Sequence, residues 1–139
     1  MIYPSLQLTA EEEYEENWYL ETVRDHEKKE LFPAIMTENC DEAILDAFVA
    51  NFVEMGKKCE ERWADGRQYV AGNTMSAADF VYLAGHTMIH GNTGLRNPSL
   101  AAKFEAAAPM ANAPNCMRIL NKMKEHCQAT VDALQPTWI

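Results

Sequence analysis

The residues best able to do chemistry lie in "GNTMSAADFVYLAG", from Gly72 to Gly85. Ser76 stands three positions before the acid Asp79, and the chain then turns almost wholly apolar. A hydroxyl and a carboxylate so spaced could serve acid–base chemistry, or could close the start of a helix. In the second case the Ser76 hydroxyl accepts from the Asp79 backbone N–H, and the Asp79 carboxylate accepts from the Ser76 backbone N–H. Two donors that lack intrahelical partners are then satisfied at once. Met75 and Phe80 occupy the two hydrophobic-staple positions on either side of the box. A catalytic acid would need a base or nucleophile beside it, and none is adjacent. Ser76 and Asp79 read as a capping box, Met75 and Phe80 as its staple, and no residue is assigned a catalytic role.

Other candidates are weaker. His86 and His90, four apart in "HTMIHG", have zinc-ligand spacing on one helical face. No third ligand is evident and the Glu of a metalloprotease helix is lacking, so no metal site is assigned. Cys40, Cys59, Cys116 and Cys127 form no CxxC pair and read as small buried apolar groups. "GNTG" and "ADGR" lack a preceding strand and P-loop spacing, so neither reads as a phosphate site. Tyr14 and Trp18 share one face of an acidic first helix, and Tyr19 and Val23 share another, about 100° round. Only one of these faces can be the main contact with a core. The other would expose aromatic surface, and Tyr14 with Trp18 is the candidate partner or ligand surface, rimmed by Glu11, Glu15 and Glu21.

The elements that must position these residues are helical, with little strand-like alternation. A first helix should begin at Thr9, where "TAEE" makes a capping box, and stop before Pro33. A second should run from about Asp41 to Trp63, packing Ile44, Phe48, Phe52, Met55, Cys59 and Trp63, with Leu45 and Val49 beside them. The third opens at Ser76 and is apolar all round, as expected of a central helix surrounded by the others. A short helix should span Pro98 to Ala107. A last one, from about Pro114 to Leu134, stacks Cys116, Leu120, Met123, Cys127, Val131 and Leu134. The reading is an all-α bundle of about five helices around a central buried one.

At 139 residues the chain is about one domain. Its formal net charge of −9 repels phosphate backbones and anionic lipid, which argues against nucleic acid or a membrane surface as partner. No run approaches the roughly 20 apolar residues of a membrane span. The N-terminus lacks the basic region and apolar stretch of a signal peptide. An intracellular, most simply cytoplasmic, location is expected.

"YVAGNTMSAADFVYLA" resembles the segment that opens the central helix in the C-terminal helical domain of the glutathione transferase superfamily. The order of helices, with "NPSLAAKFEAAAP" and "APNCMRIL" in the last two, resembles that domain over nearly the whole chain, closest to its sigma-like or cytosolic type. The resemblance implies residues 1–8 as a connecting peptide and 9–139 as a single helical domain. It also implies that Ser76 and Asp79 form the family's buried capping box, and that the first helix lines an electrophile pocket and a dimer interface. In the family, glutathione is bound and activated chiefly by a preceding thioredoxin-like domain, and no such βαβ pattern occurs in this sequence. The expectation is a protein-interaction or assembly subunit with no cofactor, joined to a protein partner or a second copy through its first helix. The alternative is the helical half of a glutathione transferase, taking glutathione and a hydrophobic small ligand only when a thioredoxin-like half is supplied elsewhere.

Overall fold

The computed structural model describes residues 7–25, 29, 41–90 and 98–129. Five α-helices occur there: α1 (Ala10–Tyr19), α2 (Glu42–Arg62), α3 (Ala77–His90), α4 (Pro98–Ala107) and α5 (Pro114–His126). The described residues contain no strand, and none of their helices is long and apolar enough to cross a membrane.

Each start has a local cause. Thr9 caps α1 with a complete box: its hydroxyl accepts the Glu12 N–H and Glu12 Oε1 accepts the Thr9 N–H, both at 3.1 Å. Asp41 caps α2 by accepting the Ala43 N–H at 3.0 Å. Ala113 at the head of α5 has no capping side chain. Glu60 of α2 supplies one across the interface, accepting the backbone N–H of Asn115 at 3.0 Å and of Cys116 at 2.8 Å. This external cap locks α5 onto α2.

The first helix departs from a plain α-helix. From Leu20 to Arg24 it widens into a single π turn, a form uncommon except as short bulges. The Cys40 region, Val131 and Leu134 lie outside the described residues, as do most positions between Asp25 and Pro33. Helix α2 ends in a short 3₁₀ turn, Trp63–Asp65, and Gly66 follows at φ 84°. That left-handed conformation suits a residue without Cβ.

Two apolar clusters form the core. The larger gathers Tyr19, Val23, Cys59, Trp63, Val70, Tyr82, Leu83, Cys116, Ile119, Leu120 and Met123 among others. The smaller joins Leu45, Phe48, Val49 and Phe52 of α2 to Leu100 and Phe104 of α4. Phe104 stands edge-on to Phe48 and Phe52, with centroids 5.6 and 5.1 Å away, the geometry favoured by aromatic quadrupoles. Ile44, expected inside, is 40 % exposed. It lies about 100° round the helix from its neighbour Leu45, which takes the buried place against Leu100 and Phe104.

Helix α3 is not surrounded on all sides. Ala78, Asp79, Tyr82, Leu83 and His86 are buried, whereas Ala77, Phe80 and Ala84 are exposed. Those three recur at i, i+3 and i+7, so they make one surface stripe. The apolar composition of α3 is therefore only partly used in the core of the described residues.

Candidate functional site

Asp79 is fully buried and ties two elements together. Its Oδ2 accepts the Ser76 N–H and its Oδ1 accepts the Val70 N–H, each at 2.8 Å. The second bond fastens the loop between Gly66 and Met75 to the start of α3. Arg67 holds the same loop from outside. It donates to Asp65, to Glu15 of α1 at 3.0 Å and to the Val70 carbonyl at 3.0 Å. From α5, Arg118 donates to the carbonyls of Arg67 and Trp63 at 3.0 and 2.7 Å. The junction is thus a structural knot drawing on α1, the loop, α3 and α5.

Half of the expected capping box is present. The Asp79 carboxylate takes the Ser76 N–H, but the Asp79 N–H donates to the Ser76 backbone carbonyl at 3.2 Å. The Ser76 hydroxyl is buried with no hydrogen-bond partner among the described residues. A tight turn has taken the donor that the hydroxyl was expected to receive. The staple also differs from expectation: Met75 packs against the larger core cluster, but Phe80 stands 47 % exposed on the surface stripe of α3.

Burial pushes the Asp79 carboxyl up to about 6, against the two backbone N–H donors that favour its charge. Glu16 raises it a little further and His126 lowers it. A carboxyl near neutrality can suit proton transfer, but this one is sealed from solvent and both oxygens already accept backbone donors. Its arrangement serves architecture.

The α1 faces are sorted clearly. Tyr19 and Val23 are the core side, 2 % and 3 % exposed. Tyr19 lies tilted beside Trp63 and edge-on to Tyr82. Tyr14 and Trp18 lie on the other face, and they are not equivalent. Trp18 is half-buried against the larger cluster and covered by the Arg62 guanidinium, 4.2 Å from its centroid. Tyr14 is 64 % exposed, with Arg62 at 5.8 Å. The open surface has therefore shrunk mainly to Tyr14, because α2 supplies a cation that roofs Trp18.

Glu15 does not belong to a free rim. Its carboxylate accepts from Arg62 Nε at 2.7 Å and Nη2 at 3.0 Å, and also from Arg67. Burial pushes this carboxyl up, but the two guanidiniums outweigh it and hold it below the usual range. Glu11 and Glu21 remain exposed.

A small, partly open pocket of about 20 Å³ lies beside Tyr19 and Val23, among Cys59, Tyr82, His86 and Cys116. It has room for about one water and none for an organic electrophile. Burial pushes the Cys116 thiol up to about 12, so it holds essentially no thiolate at neutral pH. Burial likewise raises the Tyr82 phenol well above its usual range, and its O–H donates to the Cys116 carbonyl at 3.1 Å. His86 is buried edge-on to Phe52 and Tyr82. The His90 side chain lies outside the described residues. Among the described residues, no three His, Cys, Asp or Glu side chains are grouped to hold a metal.

Sequence reasoning missed Arg62, Arg67, Arg118 and Glu60, the polar residues that organise this end of the fold. Each acts on residues about fifty positions away, and only "ADGR" hinted at one of them. No family model matches the chain, and neither do any curated protein or solved structure.

Proposed function

We propose that this chain is an interaction or assembly module, a stand-alone helical domain like the C-terminal domain of glutathione transferases, and that it is not catalytic by itself. It joins a protein partner or a second copy through α1, inside the cell and without a cofactor, nucleic acid or lipid surface. The observation that carries this reading is Tyr14, 64 % exposed on α1 beside the Trp18–Arg62 stack. Tyr, Trp and Arg are the residue types that dominate the energy of protein interfaces, and an ordered aromatic of this kind forms contacts at low entropic cost.

A second reading, the helical half of a glutathione transferase, is favoured by the order of the five helices and by the buried acid opening α3. It requires a thioredoxin-like half to bind glutathione and activate its thiol. The two readings part in one assay, the conjugation of glutathione to a chlorodinitrobenzene by the purified 139-residue chain. The module reading expects only the uncatalysed rate. Saturable turnover would overturn it.

A further inference from the structure

The face around Tyr14 has a charge as well as a ring. From Ala10 to Asp25 the exposed charged residues are Glu11, Glu13, Glu21, Arg24 and Asp25, four carboxylates against one guanidinium. Glu11 lies three residues before Tyr14, so both side chains rise from one helical face. The cation nearest that ring, Arg62, is already neutralised by Glu15 through two hydrogen bonds. What faces solvent is a tyrosine ring set in an acidic field.

The molecule itself shows what this setting holds. Arg62 stacks on Trp18 at 4.2 Å while Glu15 takes its N–H groups. An aromatic face and a carboxylate one turn apart thus already grip a guanidinium. One turn toward the N-terminus, Tyr14 and the exposed Glu11 repeat the pairing; the same Arg62 lies farther from this ring, at 5.8 Å, and leaves Tyr14 64 % exposed. Resting on the module reading, we propose that α1 docks an arginine-bearing basic segment of a partner protein, one guanidinium stacking on Tyr14 with the Glu11 carboxylate beside it. A second copy fits this face poorly, because it would bring the same excess of carboxylates against itself.

The test uses the purified chain and a short fluorescent peptide alternating arginine and alanine, with a glutamate-for-arginine peptide as counterpart. By anisotropy, the basic peptide should bind and the acidic one should not, and binding should weaken steeply with added salt. Tyr14→Ala and Glu11→Gln should each weaken it about fivefold, the size expected for one partly solvated cation–π or charge contact. Glu105→Gln, an exposed acid on α4, should leave it unchanged and so controls for general charge attraction. Equal binding of the two peptides would overturn the proposal, as would equal losses in Tyr14→Ala and Glu105→Gln. Sedimentation in the absence of peptide separates the two ideas. If the chain self-associates through Tyr14 and ignores the basic peptide, the module reading stands and the basic partner falls.

Discussion

Replacing Asp79 tests the junction and sets two opposing effects against each other. The carboxylate accepts two backbone N–H groups at 2.8 Å in a fully buried place. Losing both would leave two donors unpaired, at about 1–3 kcal/mol each. Against this stands the cost of ionising a buried acid. Its carboxyl is raised from 3.8 to about 6, roughly 3 kcal/mol against the charged form at neutral pH. Asp79→Ala loses both bonds, about 2–6 kcal/mol together, and sheds the charge, about 3 kcal/mol, so it should destabilise by about 3 kcal/mol at most at pH 7. Asp79→Asn keeps one acceptor oxygen and sheds the same charge, so it should lie within about 1 kcal/mol of wild type. The sign of the pH effect follows. The folded state binds the proton more tightly than the unfolded one. Asp79 therefore contributes most below pH 3.8, and that contribution fades as pH rises through 6. Urea unfolding of wild type and Asp79→Asn across this window should show wild type losing ground as pH rises, by about 3 kcal/mol at most. A gap that does not change with pH, or one that moves in wild type's favour as pH rises, would refute the reasoning. The second result would mean that the two N–H donors outweigh burial.

Two further stability predictions concern helix ends. Glu60→Ala should strip the external cap from α5, where Glu60 accepts the Asn115 and Cys116 N–H groups. It should lower stability by about 1–2 kcal/mol in thermal or urea melts, and an unchanged midpoint would count against trans-capping. Ala108, at φ 43° after α4, holds a left-handed conformation that suits glycine. Ala108→Gly should raise stability by about 0.5–1 kcal/mol, and a loss would show that the strain is not there.

Much of the helical framework could be read from local chemistry. Pro98 opens α4 and Pro114 opens α5 where the proline rule puts them. The Thr9–Glu12 box and the Asp41 cap also lie at the expected starts. These features depend on neighbours three or four residues away. The π turn at Leu20–Arg24 does not. No residue pattern marks it, and Tyr19 and Val23, which a plain α-helix would also set on one face, are both buried in the larger cluster. Phe80 misled for another reason: apolar composition says that α3 can be buried all round, but only the other helices decide which faces they cover. The face of Tyr14 and Trp18 was legible as aromatic. That Trp18 would be roofed by Arg62 and Glu15 taken from the rim was not, because both contacts bridge α1 and α2.

The central claim is that the Tyr14 face is used for contact with protein. Hydroxyl-radical footprinting measures it without naming a partner, by comparing Tyr14 oxidation in the purified chain and in the protein's native cell extract. Ile44 and Phe80, also exposed apolar residues, serve as internal references. The account predicts that Tyr14 is oxidised freely in the purified chain and protected in the extract, with the two references less changed. Equal oxidation of Tyr14 in both settings would contradict it.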